Sequence, residues 1–503
     1  MPHPKEFRHC ELKRSKNAQS VAICSRFYAL SLTVLTMTIA SLPTAQAWGS
    51  NTIDLNGEPR AELGKTQSKI VIPLKKDSGC KDLTLIHQPG SGQSTIQLDA
   101  EKQMGDPLVY KSDFSNRNLR GYVVELSKDG RFQMFIKHGT PNTADATCYN
   151  KQLVVTVEER YKHIEQQTTL ARGLNYVQHK VALGAGKEFR THNLDWNPQD
   201  SNVKLAAMMP NPGSLQGLRT VKGTLEKYGG IAGVNASFFN AKLKIPLGIV
   251  VQDGELLNGT LYGRSALGIN DKNVPHIERV DLKGRVSLGV WHQEINRVNM
   301  PRIAGDEIAL YTNLYGTESP PAGGGNVAVR IRNNFIHEVS EAGPLRFESS
   351  DDWIMFGRRS DLETLANSPV GTMVDIILGS QPDWSDKKLV VAGGPTLLKN
   401  GRPFIDLEAQ KFFALPPNNL RGRTAIGIRP NNTLFLMVVD HRPNGATLND
   451  TAELLAIFDA KEGMNLDGGS SSQMVVKGDV RYASVGGNGA AVSTSLGFIP
   501  TGP

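Results

Sequence analysis

The stretch Thr433–Ser472 constrains the fold most, because strand, helix, strand and turn signals follow one another there without a break. Thr433–Val439 is a β run. Thr447 stands at a capping position, and a helix is predicted over Leu448–Glu462, with Asp450 in its first turn favourable to the helix dipole. Gly463 ends that helix, and Met464–Leu466 starts a strand that runs straight into Asp467-Gly468-Gly469. A related order occurs earlier. Leu218, Val221, Leu225 and Tyr228 recur at spacings of three and four, which marks one face of an amphipathic helix. Gly229-Gly230 stops it, and Ile231–Val234 reads as a buried strand ending at Asn235. Strands and helices therefore mix from Leu170 to Pro503. The expected class is α+β: a mixed, strand-rich domain with packed helices, preceded by a small all-β domain.

That smaller domain is expected at residues 67–160. Its predicted strands are Lys69–Leu74, Leu83–His87, Tyr122–Leu126, Phe132–Ile136 and Leu153–Val157. Turn signals such as Pro89-Gly90-Ser91-Gly92 and Lys128-Asp129-Gly130 separate them, a spacing that suits a small sandwich. Residues 48–66 are polar and expected to be flexible, and 161–169 are expected to form a linker. Nothing in the small domain carries the marks of catalysis, so its expected role is accessory.

The N-terminus bears on location. Lys5, Arg8, Lys13, Arg14, Lys16 and Arg26 form a basic leader, followed by an uncharged, mostly apolar run from Phe27 to Leu42. Pro43 breaks the run, and Ala45-Gln46-Ala47 is a small-x-small site for a signal peptidase. This is the layout of a cleaved secretory signal over residues 1–47, and the apolar run is short for a membrane span of about 20 residues. The expected location is periplasmic or secreted, with no stable membrane span after cleavage. Removing the leader's six basic and two acidic residues takes the formal charge from +7 to +3. The mature chain has no basic run that would argue for nucleic acid. Cys10 and Cys24 leave with the leader, so Cys80 and Cys148 remain as an even pair, expected to form a disulfide in an oxidising compartment. Two separate buried thiols are the alternative. No HExxH, CxxC or close His pair points to a transition metal.

Asn465-Leu466-Asp467-Gly468-Gly469-Ser470-Ser471-Ser472 carries the most chemistry. A carboxylate at a strand end is followed by two glycines and three hydroxyls. Glycines let the backbone turn sharply and let a ligand approach its N–H groups, which in succession make an anion cradle. Read this way, Gly468, Gly469 and Ser470 cradle a phosphate beside Asp467. An ordinary Asp-Gly turn is the plainer alternative.

Other segments add weight to the first reading. They are Val234-Asn235-Ala236-Ser237-Phe238-Phe239, Gly393-Gly394-Pro395-Thr396-Leu397, Arg423-Thr424-Ala425-Ile426-Gly427-Ile428, Asp440-His441-Arg442, and Thr447–Leu455 with Glu453 on it. In order and spacing, Leu170–Pro503 resembles the phosphodiester glycosidase domain family, which includes the lysosomal uncovering enzyme and bacterial exported proteins. The family's usual Asn-Gly-Gly-Phe-Phe reads Asn235-Ala236-Ser237-Phe238-Phe239 here, and its Asp-Gly-Gly-Gly-Ser reads Asp467-Gly468-Gly469-Ser470-Ser471. Many members carry an Arg just before the last strand, whereas Gly489-Ala490-Ala491-Val492-Ser493-Thr494 has none.

The resemblance implies hydrolysis of a glycosyl phosphodiester, a reaction whose leaving group is already anionic and weakly basic. It needs a carboxylate, plus cations and N–H groups for phosphate, more than a strong general acid. Asp467 is the expected base or nucleophile, with a turn-shaping or metal-coordinating role as alternative. Glu453 is either the second carboxylate or a structural partner. Arg423 has the fork that suits an oxyanion, or else makes a surface ion pair. Arg264 is a second candidate cation. Asn235 and Thr424 are expected at the substrate, although Asn235 can equally shape its own turn. His441 beside Asp440 is either a proton shuttle or structural. No cofactor is required, although Asp and Asn at turns are the donors a structural Ca²⁺ would use. The expected partner is a carbohydrate phosphodiester or polysaccharide.

Overall fold

The computed structural model describes residues 55–501 apart from 65–66, 76–82, 89–92, 99–107, 117, 127–131, 140–141, 185–186, 414 and 443–444. The signal sequence expected over residues 1–47, with Cys10 and Cys24, and Cys80 lie outside the described residues, whereas Cys148 lies on the strand Asn142–Tyr149.

The expected α+β class is corrected: the protein is mostly β. Strand accounts for 53% of the described residues and helix for 6%. Three α-helices occur among the described residues: α1 (Val221–Tyr228), α2 (Glu363–Asn367) and α3 (Leu448–Ile457). The reason lies in the layering. One sheet runs in the order Val203–Met208, Ser495–Pro500, Ala232–Asn235, Gln473–Val476, Asp479–Ala483. A larger one includes Leu174–Leu183, Glu188–Trp196, Leu434–Val439, Arg423–Ile428, Glu462–Asn465 and Thr396–Lys399, in that order. Alternate residues of both sheets meet in one core that contains Leu205, Val234, Met474 and Phe498 from the first and Tyr176, Ile426, Leu436 and Met464 from the second. The remaining apolar residues face outward, and each outer face takes one helix. Helix α1 covers Met208 and Val475 with Val221 and Leu225. Helix α3 covers Ala425, Phe435, Met437 and Val439 with Leu448, Ala452 and Leu455. Apolar runs buried on both faces are thus satisfied by sheet on one side and a single short helix on the other.

Local signals set the helix ends. Thr220 Oγ1 accepts the Gly223 N–H at 3.2 Å, and Gly229 closes α1 at φ 65. Thr447 and Asp450 form a reciprocal capping box at the start of α3, with N–H to oxygen distances of 3.0 Å both ways. Helix α3 stops at Ile457, short of the expected Glu462. Asp459 turns to φ 64, and Lys461 N–H donates to Ile428 O at 2.7 Å, drawing the chain into the sheet.

Residues 67–159 pack two sheets about a separate core that includes Ile70, Ile96, Val124, Phe132, Met134 and Val155. Residues 161–169, expected as a linker, lie inside the strand Gln152–Ala171, which pairs first with Gln67–Pro73 and then with Leu174–Leu183. Their polar character reflects a strand exposed on both faces. In the stretch expected to be flexible, Arg60–Glu62 pairs with Lys69–Val71. Among the described residues no helix is long and apolar enough to cross a membrane.

Candidate active site

The two sheets of the main core are stitched together at Asn235. Its side chain is fully buried. Nδ2 donates to Asp467 O at 2.6 Å, and Oδ1 accepts from Thr424 Oγ1 at 2.8 Å and from Gln473 N–H at 3.1 Å. Asp467 N–H donates to Ala236 O at 2.9 Å, and Leu466 N–H to Thr424 O at 2.8 Å. Asp467 thus leaves its strand on a backbone fixed from both sheets. Asn235 and Thr424 are buried positioning groups, and their hydrogen-bonding atoms are engaged within the protein.

The Asp467 carboxyl is partly exposed at this junction. Desolvation pushes its pKa up from 3.8 to about 6, against the opposing pull of the Ser471 side chain and the Gly468 N–H. No cation contributes to that balance. A carboxyl poised there is ionised at neutral pH but retains basicity, which suits proton abstraction from water or attack on an electrophilic carbon.

The expected N–H cradle is largely used up by the turn itself. Gly468 N–H serves the Asp467 carboxylate, and Gly469 N–H donates to Gly422 O at 2.8 Å. Gly468 is extended, Gly469 adopts φ 64, and Ser470 is exposed. Ser472 Oγ is buried and without a hydrogen-bond partner, as is Asn465 Oδ1.

The expected cations are placed differently. Arg423 is 1% exposed, and its Nε and Nη2 donate to Ala446 O at 2.9 Å and Asn419 O at 2.6 Å. Burial and the neighbouring Arg421 lower its pKa to about 10. It is neither a surface ion pair nor an open clamp. Arg264 donates to Gln410 O at 3.1 Å and Lys411 O at 2.9 Å, and its guanidinium lies 3.8 Å from the centre of the Phe412 ring. Phe412 in turn packs 5.5 Å from Phe238, so Arg264 holds the 410–412 segment against the Phe238 strand end. Glu453 is not in the site. It sits on α3 with 40% of its side chain exposed and pairs with Arg160 at 3.2 Å, the contact a structural partner would make. His441 Nδ1 lies 2.8 Å from Tyr482 Oη, which also lies 2.9 Å from Ser484 Oγ. A side chain at Gly422 would meet both Tyr482 and Ser484, so His441 borders the turn through Tyr482.

Four residues here went unread in the sequence. Ser471 bonds the Asp467 carboxyl. Gln473 caps α1 through Val221 N–H at 3.1 Å and donates to Ala490 O at 2.8 Å. Tyr482 links His441 to the turn. Arg421 is exposed beside Gly469, and its doubling with Arg423 across Gly422 was the available signal. Among the described residues no group of three or more His, Cys, Asp or Glu forms a metal site. A cavity of about 650 Å³ lined by Tyr262, Lys283, Arg285, Glu294 and Arg297 is distinct from the Asp467 turn.

Fold and site together define a strand-dominated protein with a desolvated carboxylate at the seam of two sheets. Residues 325–499 match the phosphodiester glycosidase family model. The match contains Arg421, Arg423, Glu453 and Asp467–Ser471, and it begins after Asn235 and Arg264. Among solved structures, a hypothetical protein from Synechocystis aligns at TM-score 0.59 and 19% identity, covering 90% of this chain and 83% of that one. A candidate exported protein of Burkholderia pseudomallei aligns at 0.54 and 16%, covering 91% and 100%. These likenesses establish the fold. The zebrafish N-acetylglucosamine-1-phosphodiester alpha-N-acetylglucosaminidase catalytic domain, auto-inhibited by its pro-peptide, aligns at 0.39 and 15%, covering 68% and 87%. None of the curated proteins matches the chain.

Proposed function

We propose that this chain is an exported hydrolase that cleaves a glycosyl phosphodiester in envelope or extracellular glycans. One observation carries the reading: the Asp467 carboxyl, pushed up to about 6, stands on a turn pinned by both sheets within the phosphodiester glycosidase match. Ionised Asp467 takes a proton from the water that attacks the anomeric carbon as the sugar–phosphate C–O bond breaks; or it attacks that carbon itself, and water then hydrolyses the resulting glycosyl ester to free sugar and restores the carboxylate. The departing phosphate monoester leaves as an anion, so the step needs positive charge near its oxygens and makes little demand on a general acid. With Glu453 bound to Arg160, Asp467 acts without it. Asn235 and Thr424 position the Asp467 backbone, and Ser471 orients its carboxylate. No cofactor enters this chemistry.

Export through a cleaved signal and a Cys80–Cys148 disulfide belong to the same proposal. The test is release of free sugar from a sugar-1-phosphodiester. Asp467→Asn is expected to abolish it, and unchanged turnover would remove Asp467 from the mechanism. A second reading, a non-catalytic polysaccharide-binding protein on the same fold, draws on Arg423, two of whose donors are committed to backbone carbonyls. Tight glycan binding with no product on prolonged incubation selects it.

A further inference from the structure

With Arg423 buried and no Arg between Gly489 and Thr494, the site needs another source of positive charge for a phosphate. Arg421 occupies the right place. A Cβ built on Gly469 would lie 3.6 Å from both Cδ and Nη1 of Arg421, so the guanidinium stands against the open face of the Gly468–Gly469 turn. The backbone beneath it is held on both sides. Arg421 N–H donates to Ala446 O at 3.2 Å, Ala446 N–H donates back to Arg421 O at 2.9 Å, and Gly422 O takes the Gly469 N–H at 2.8 Å. Gly445, at φ 68, packs so close that a Cβ there would sit 2.7 Å from Arg421 N. The side chain itself is exposed, and no carboxylate pairs with it among the described residues.

Two further observations point to an anion. Arg421 and Arg423 are near enough that each raises the positive potential felt by the other, which is one cause of the lowered Arg423 pKa. Ser472 Oγ, fully buried and unpartnered, lies 3.9 Å from where a Gly468 Cβ would stand. The turn is thus bordered by an uncompensated guanidinium and an unused hydroxyl. The absence of a side chain at Gly469 leaves the turn uncovered beneath the guanidinium, whereas Gly422 O and Ser472 Oγ line the Gly468 side.

We propose that Arg421 is the phosphate-recognition residue of this site, holding a phosphate-ester oxygen against the Gly468–Gly469 face within reach of Ser472 Oγ. The inference rests on the hydrolase reading for its choice of ligand but not for its test. Arg421 touches the leaving group, and Asp467 acts on the carbon side of the same bond. The arrangement separates the positive charge from the base, in keeping with the absence of any cation among the influences on Asp467.

The experiment is calorimetric titration of inorganic phosphate into wild type, Arg421→Ala, Arg421→Lys and Asp467→Asn at low salt, with melting temperatures as a folding control. Wild type is expected to bind phosphate, and Arg421→Ala to bind at least about tenfold more weakly at an unchanged melting temperature. Arg421→Lys restores part of the affinity, and Asp467→Asn retains it. In turnover assays Arg421→Ala raises KM more than it lowers kcat. Phosphate binding by wild type that Arg421→Ala leaves intact overturns the inference, as does absence of binding to wild type. Arg421-dependent phosphate binding without sugar release supports the inference and overturns the hydrolase reading instead.

Discussion

Asp467→Asn separates a functional carboxylate from a structural one through its effect on stability. Asparagine reproduces the shape of the protonated side chain and carries no charge. In the folded protein the Asp467 carboxyl titrates at about 6 in place of 3.8, so the fold binds that proton more tightly than the unfolded chain does. A raised carboxyl pKa therefore favours the folded state when protonated and costs stability once pH rises through about 6. About two pKa units correspond to at most about 3 kcal/mol above pH 7. Asp467→Asn removes this cost, less whatever is lost when Ser471 and the Gly468 N–H bond a neutral amide. The variant is expected to be more stable than wild type by about 1–3 kcal/mol at pH 7.5, with the gain falling towards zero by about pH 4. Thermal denaturation of both proteins from pH 4 to 8 measures the difference, and titration of the other carboxylates cancels. A variant less stable than wild type at pH 7.5, or a difference that does not change with pH, refutes the claim that this carboxyl is held desolvated at a cost to the fold.

Other outcomes follow from the same contacts. Asn235→Ala removes three hydrogen bonds of a fully buried side chain, two of which join the sheets, and is expected to cost about 3 kcal/mol or more, read by chemical denaturation. Glu453→Gln is expected to leave turnover within about twofold of wild type, because the residue faces Arg160 at a half-exposed surface pair worth about 1 kcal/mol or less. Thr447→Ala breaks the capping box of α3 and is expected to destabilise by about 1 kcal/mol with KM unchanged. Non-reducing peptide mapping of the protein produced in an oxidising compartment is expected to yield a Cys80–Cys148 linked pair, and two free thiols would contradict it.

What the sequence disclosed was local. The runs around Val234 and Leu436 announced strands because their unbroken apolar character and short length are properties of the segment alone. The same holds for Thr447 and Asp450, whose capping chemistry needs only three residues of spacing. The layering was less legible. Strands buried on both faces suggested many packed helices, yet one sheet face opposes another sheet and a single short helix covers each outer face. Residues 161–169 read as a linker because a strand exposed on both faces lacks alternation. Asp467 was readable from its strand-end glycines. The role of Glu453 turned on its partner Arg160, which is distant in sequence. Arg423 and Arg421 look equivalent on paper. Only tertiary burial separates the one tied to the carbonyls of Asn419 and Ala446 from the one exposed beside Gly469.

The most direct test is the pH dependence of free-sugar release from a sugar-1-phosphodiester by this protein, with Asp467→Asn alongside. The account predicts turnover by wild type that falls as pH drops through about 6, where Asp467 gains its proton, and no release by the variant. Release that persists in Asp467→Asn, or that is flat from pH 4.5 to 7.5, would contradict it.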